Sequence, residues 1–269
     1  MSTGSDAGNR RRGWAGSGLV PDAGAHEAWS GRALVRLVWA VGSAFVVESL
    51  ILGCSMAPAG VFYQWHFGWQ ISPWWVRGVL LGAATLPAYL IFAHLLMALS
   101  AFACRLLGWR PKPDQTMPIA ELGWPLLDWA RYSIVSHVVR LLAGTFLRAT
   151  PMWSWYLRLD GATLGRRTWI NSLGITDHCL LEFGDDVVIG AGAHVSGHTV
   201  EQGVVKTALI RLGGGTTVGV NAIIGIGVMT EPNCHIGALS YVPKFSHLGP
   251  GNNVGVPVRP EAHPWRDQP

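Results

Sequence analysis

Eight small apolar or near-apolar residues fall six apart near the C-terminus: Leu212, Val218, Ile224, Thr230, Ile236, Val242, Leu248 and Val254. Glycine follows six of them, at Gly213, Gly219, Gly225, Gly237, Gly249 and Gly255. A helix repeats every 3.6 residues and an ordinary strand every two, so neither gives this period. A period of six with glycine after the apolar position marks a hexapeptide β-helix. Each hexad makes one flat side of a triangular coil. Its apolar residue points into the prism, and the small residue after it lets the chain turn the corner. A glycine-rich sandwich of irregular strands is the competing reading, and unbroken register over eight hexads is hard to reach by chance in such a fold.

The same phase appears upstream at Leu164-Gly165 and Ile170, then at Phe183-Gly184, Ile189-Gly190 and Val195-Ser196. From Val195 to Leu212 is 17 residues, one short of the 18 in a full three-sided coil. The phase slips there, which predicts that residues 197–209 leave the prism as a loop. Gly213-Gly214-Gly215 imitates a phosphate loop but lacks the Lys-Ser/Thr pair and sits in hexad register, so it reads as a coil turn.

The rest of the chain avoids water. Of its 269 residues only 13% are charged, against about 25% in average soluble chains. Residues 1–31 carry little hydrophobic pattern and read as a disordered tail. Leu37 to Ala57 is 21 residues with Glu48 its one charge, and Gly78 to Cys104 is 27 residues with no formal charge. Both exceed the roughly 20 residues needed to cross a hydrocarbon core. Between them lie Trp65, Trp69, Trp74 and Trp75, rings suited to a headgroup layer. Buried helices of a globular domain are the other reading of the two runs.

Arg32 and Arg36 precede the first run, and Arg105, Arg110 and Lys112 follow the second, while the loop 58–76 has no Lys or Arg. The positive-inside rule then places both termini and the coil on the cytoplasmic face of the cell inner membrane. Arg10-Arg11-Arg12 does not make a twin-arginine signal, because the apolar run starts well downstream and lacks a cleavage site. Glu48 and His94 are costly in lipid; they read either as a stabilising contact between helices or as a polar pair that binds or passes something. Pro111, Pro113 and Pro118 make a linker. Val135, Val138, Val139 and Leu142 recur at helical spacing with Arg131 and Arg140 nearby, as in an amphipathic helix on a membrane surface, or one that caps the first coil. The organisation expected is therefore a tail (1–31), a transmembrane hairpin (32–106), a linker with an amphipathic or capping helix (107–160), a β-helix (161–258) and a tail (259–269).

Repeat scaffolds carry function on insertions. The break in register holds Ser196-Gly197-His198. A histidine on a glycine-flanked loop reaches ligands and titrates near neutral pH, and Glu201, three residues on, is the expected orienter of its ring. Together they suit a general base that takes a proton from a hydroxyl or amine. A solvated loop histidine is the plainer reading. Asp185-Asp186 reads as a coil-corner pair, and His178, His194 and His235 as coil-surface residues. No metal site is expected. Cys54, Cys104, Cys179 and Cys234 have no CxxC or zinc spacing and read as reduced. No nucleic-acid motif accompanies the net charge of +4.

Val195-Ser-Gly-His-Thr-Val200, phased coils, and then Val254-Gly-Val-Pro-Val258 resemble the hexapeptide-repeat acyltransferases of the galactoside and maltose acetyltransferase type. A wider resemblance covers about residues 35–258. Trp155-Tyr-Leu-Arg-Leu-Asp-Gly-Ala-Thr-Leu-Gly-Arg-Arg167, Ile170-Asn171, Ile175-Thr-Asp177 and Gly184-Asp-Asp186 are similar to the terminal membrane module of Pls/PosA-type nonribosomal peptide synthetases, which include the ε-poly-lysine synthetases. The resemblance implies a left-handed parallel β-helix that forms a homotrimer, a site between neighbouring prisms, and a pantetheine thioester (acyl-CoA or carrier protein) as co-substrate. It makes His198 the base, places Asn171 and Asp177 toward the acceptor, and gives Lys206 the place of a basic, phosphate-meeting residue. A coil-corner Asn and a capping Asp explain Asn171 and Asp177 equally well. No adenylation or carrier domain is present in the sequence, so a separate adenylation or carrier protein is the implied partner, besides membrane lipid.

The function expected is transfer of an acyl or aminoacyl group from the thioester to an amine, as amide formation in nonribosomal peptide biosynthesis. Acetyl-CoA-dependent O-acetylation of a sugar or lipid-linked sugar is the alternative within the same class. A non-catalytic trimeric scaffold for carrier proteins is the alternative outside it.

Overall fold

The computed structural model describes residues 30–68 and 73–254, with side chains up to Gly251. The two tails, Trp69 and the Gly-Val-Pro segment lie outside the described residues. The chain opens with helices α1 (Gly31–Phe67) and α2 (Trp74–Leu106), which pack on each other. Ser30 starts α1 by accepting a hydrogen bond from the Ala33 amide at 3.2 Å, a side-chain N-cap. Gly108, at φ +71°, follows the end of α2, in the left-handed conformation that commonly terminates a helix. Both helices are long and apolar enough to cross a membrane, and only 22% and 17% of their most apolar stretches are buried. That exposure separates them from core helices, whose apolar faces are covered.

Three shorter helices follow: α3 (Trp124–Val139), α4 (Thr145–Leu147) and α5 (Pro151–Leu159), with a π-helical turn at Arg140–Gly144 between the first two. Helix α3 packs against both α1 and α2, and α5 packs between α2 and the first strands of the coil. Val135, Val139, Trp153, Tyr156 and Leu157 are wholly buried. The capping role expected for this segment is what these contacts describe. Arg131 is buried; it donates to Asp128 at 2.7 Å and to the Ala40 carbonyl, and lies over the rings of Trp109 and Trp124. This helical cap closes the open end of the coil, which a solenoid needs.

From Thr163 the chain winds through three parallel sheets in turn. One side holds Thr163–Leu164, Leu181–Phe183, Ile210–Leu212, Met229–Thr230 and His247–Leu248. The second holds Trp169–Ile170, Val188–Ile189, Thr217–Val218, Cys234–Ile236 and Gly251–Val254. The third holds Ile175–Thr176, His194–Ser196, Ile223–Ile224 and Tyr241–Val242. Leu212 lies beside Thr230 and Thr230 beside Leu248, one coil on each time. Ile170, Ile189, Val195, Leu212, Val218, Ile224, Ile236 and Val242 fill the interior, which is the register read from the hexads. The glycine after the apolar position is required by close approach. A Cβ on Gly213 would lie 2.6 Å from the Glu231 carbonyl carbon of the next coil, inside van der Waals contact.

The break in register is a β-hairpin rather than an irregular loop. His198–Glu201 pairs antiparallel with Val204–Thr207, and Thr116–Pro118 from the linker adds a third strand. Gln202 and Gly203 at the tip have φ of +49° and +74°, the two left-handed residues of a tight hairpin turn. Met117 and Val205 seal the sheet against Ala33, Ala40 and Leu126, so the hairpin is clamped between the coil, α1 and α3.

Candidate functional site

Two departures from the hexad lie one coil apart at the same corner. On the first coil, Asp177 interrupts the turn after Ile175–Thr176 and leads into a 3₁₀ turn at His178–Leu180. On the second coil, Ser196-Gly197 leads into the hairpin. Thr176 and Ser196 are register partners in adjacent strands, which stacks the two irregularities. Asp177 adopts φ +52° and ψ +53°, a left-handed conformation uncommon outside glycine and tolerated best by Asn and Asp. Gly197 has no room for a side chain: a Cβ would sit 2.8 Å from Leu180 Cβ and 3.1 Å from Asp177 Cβ.

This corner brings His198 onto Asp177. The imidazole Nδ1 donates to Asp177 Oδ2 at 2.5 Å. Trp129 Nε1 on α3 donates to the other oxygen, Oδ1, at 3.1 Å. Thr176 Oγ1 donates to Oδ2 at 3.0 Å, and Ser196 Oγ lies 3.2 Å from His198 Nδ1. The Trp129 ring meets the imidazole edge to face at 4.9 Å between centroids. The Asp177 side chain is 1% exposed and that of His198 is 25% exposed. Burial pushes the Asp177 carboxyl up, but the hydrogen bond and charge of His198, with the Trp129 and Thr176 donors, outweigh it and hold the group below the ordinary carboxylate range. The carboxylate thus fixes Nδ1 as the protonated nitrogen. Nε2 has no hydrogen-bond partner among the described residues and sits at the partly open edge. A histidine oriented at one nitrogen and free at the other has the arrangement of a general base.

Glu201 does not orient His198. In an extended strand successive side chains alternate sides, so residues three apart face opposite ways. Glu201 instead pairs with Lys206 at 3.2 Å and with Lys244, and those two lysines hold its carboxyl below the usual range. Lys206, expected to meet phosphate, sits opposite Thr199 in the hairpin and is engaged by Glu201. Asp177, expected to face an acceptor, faces the imidazole. Asn171 begins the turn after Trp169–Ile170, where its amide donates to the Ile189 carbonyl; its side chain makes no hydrogen bond to the dyad.

His178 is the second correction, since it is wholly buried rather than on the coil surface. Its Nδ1 donates to Asp160 at 2.7 Å, Tyr132 Oη donates to the same oxygen at 2.7 Å, and the His178 amide donates to Tyr132 Oη at 3.0 Å. This sealed pair ties the helical cap to the first coil and leaves no edge for a substrate. His194 and His235 are exposed, and Asp185 and Asp186 pair with Arg166 and Arg167 at a coil corner. The four cysteines are free thiols; burial pushes Cys179 up to about 12, which removes it as a nucleophile at neutral pH. No cluster of metal-ligating side chains occurs among the described residues.

Glu48 and His94 do not bond each other. His94 Nδ1 donates to the Leu90 carbonyl at 2.6 Å, and Glu48 is buried with no hydrogen-bond partner among the described residues. Arg77, at the start of α2, is one basic residue on the loop side, where it donates to the Phe67 carbonyl.

No family model matches the chain, and no solved structure matches it. The chain is similar to a delta-poly-L-ornithine synthetase of Acinetobacter baumannii (strain AB307-0294), 23% identical over 145 residues. The match covers 52% of this chain and 11% of that protein, so the chain corresponds to a small part of its relative.

Proposed function

We propose that the protein is a membrane-anchored transferase that moves an acyl or aminoacyl group from a pantetheine thioester to an amine. The observation that carries the reading is the His198–Asp177 pair, buried at the carboxylate and open at Nε2. In the proposed step, Nε2 takes the proton of the amine as its nitrogen attacks the thioester carbonyl. The carbon–sulfur bond then breaks, the amide forms, and the imidazolium returns the proton to the departing thiolate. Asp177 stabilises the imidazolium and keeps Nδ1 protonated. The reading takes the coil as a left-handed β-helix, and the second wall of the cleft as a neighbouring copy in a homotrimer. A carrier protein supplies the thioester. The exposed apolar length of α1 and α2 supports a membrane anchor, and the reading takes this as the inner membrane with the coil on the cytoplasmic side, from the Lys and Arg that flank the hairpin. The similarity to a poly-ornithine synthetase supports an aminoacyl donor over an acetyl one.

The donor tests the proposal. The protein in lipid nanodiscs is incubated with an aminoacyl-loaded carrier protein and a diamine, and separately with acetyl-CoA and a panel of saccharides. Intact mass spectrometry is expected to show loss of the aminoacyl group from the carrier together with a new amide. Turnover of acetyl-CoA on a saccharide alone contradicts the proposal and assigns O-acetylation.

A further inference from the structure

Helix α1 has 37 residues and α2 has 33, which at 1.5 Å per residue is about 55 Å and about 50 Å. A hydrocarbon core is about 30 Å thick and takes about 20 residues. The hairpin therefore overshoots a bilayer, and the level at which it sits has to be found. Its outer end is marked by Trp65, Trp74 and Trp75, each more than half exposed, rings that settle at a headgroup layer. Counting about 20 residues inward from that end brings the near boundary to Glu48 on α1 and His94 on α2. Tilt shortens the rise along the membrane normal and moves the boundary further toward the coil. The exposed Val38, Trp39, Phe45 and Val46 of α1 carry the apolar surface past Glu48 toward the coil, which moves the boundary the same way.

The helical cap reaches that boundary. Tyr89 Oη donates to the Leu142 carbonyl at 2.9 Å, the Phe146 ring meets Tyr89 edge to face at 5.4 Å, and the Trp155 ring lies 6.0 Å from His94. Phe146 is 73% exposed and Leu141 63% exposed, although both sit in the tightly packed cap. Tyr89 is five residues nearer the outer end than His94, so Phe146 lies about 8 Å inside the near boundary. In-plane helices insert their apolar faces about 5–10 Å. Arg148, two residues from Phe146, is exposed, as suits a side chain that reaches for phosphate from an interfacial position.

We propose that the outer face of the π-turn and α4, carried by Leu141 and Phe146 with Trp155 of α5 above them, is embedded in the near leaflet of the bilayer. The occupant is lipid, because Phe146 and Trp155 meet Tyr89 and His94 of α2, beside the exposed apolar Leu86 and Ile91 of the same helix. The consequence is a fixed height. The cap that holds Trp129 and Asp177 rests on the membrane, so the His198 cleft is presented at the headgroup level instead of on a free tether. This inference rests on the membrane reading of the hairpin but is separable from it.

Site-directed spin labelling tests it. Phe146→Cys and Leu141→Cys are labelled in a Cys54→Ser background, with Met56→Cys as a hairpin control and His247→Cys as a coil control. The full chain is placed in phosphatidylethanolamine–phosphatidylglycerol vesicles, and collisions with oxygen and with a water-soluble nickel complex are compared. Oxygen collisions are expected to outnumber nickel collisions at 146, 141 and 56, and the order to reverse at 247. Nickel-dominated signals at 146 and 141 with an oxygen-dominated signal at 56 overturn the embedded cap and leave the hairpin standing. Nickel dominance at 56 as well overturns both. Shielding from both reagents with spin–spin broadening at 146 assigns this face to a second copy and overturns the lipid occupant.

Discussion

Asp177 and His178 are neighbours in sequence and partners of different pairs. Asp177 turns outward to His198 at a partly open edge, while His178 turns inward to Asp160 and is sealed. The contrast is between a pair with one partly exposed ring and a pair closed to solvent. Asp177 is held below the ordinary value of 3.8 by His198, Trp129 and Thr176 against the cost of its burial. A carboxyl whose folded value is depressed contributes stability that is present above its unfolded value and is lost as pH falls through the folded one. The melting temperature of the native chain is therefore expected to fall as pH drops below about 4, and Asp177→Asn to flatten that limb in a differential scanning calorimetry series. The same variant is expected to lower turnover on the order of 10²–10⁴-fold by releasing the imidazole tautomer. Glu201→Gln is expected to leave turnover nearly unchanged, since the ion pairs of Glu201 with Lys206 and Lys244 are partly exposed and such pairs contribute little. Equal losses in the two variants contradict the assignment of the orienter.

At the scale of elements, the coil was legible because a six-residue period belongs to no helix or strand, and its register appears in the parallel partners Leu212–Thr230 and Ile224–Val242. His198 was legible because the phase slips beside it. Its partner was not legible, because Asp177 reaches it across coils from 21 residues upstream, and one chain carries no spacing rule for such a contact. Glu201 was the nearer carboxylate, but the stretch read as a loop is a strand, and strand alternation turns it away. The partners of the cap were not legible for a similar reason. Helical spacing of Val135, Val138 and Val139 gives a buried stripe without saying that two helices and a coil would cover it. The corner that joins the two irregularities depends on Gly197, where a methyl group meets Leu180 and Asp177. Gly197→Ala is expected to lower stability by about 1–3 kcal/mol through overpacking, read in thermal unfolding, with a larger fractional loss of turnover than the fraction unfolded explains. An alanine variant with native stability and native rate contradicts the tight corner.

For the whole molecule, the hairpin, cap and coil share one core. Ile51 of α1, Leu96 and Met97 of α2, Trp153 and Tyr156 of the cap, and Ile170 and Ile175 of the first coil belong to the same buried cluster. The buried Tyr132–Asp160–His178 contacts cross the cap–coil boundary. This shared core holds the His198 imidazole at a set position relative to α1 and α2, and the proposed chemistry depends on that one imidazole. The most direct measurement is the single-turnover rate of aminoacyl transfer from a loaded carrier protein in nanodiscs, native chain against His198→Ala, with both shown to be folded by circular dichroism. The account predicts a loss of about 10²–10⁴-fold in the variant. Transfer at the native rate by a folded His198→Ala chain would contradict it and leave the coil as a scaffold.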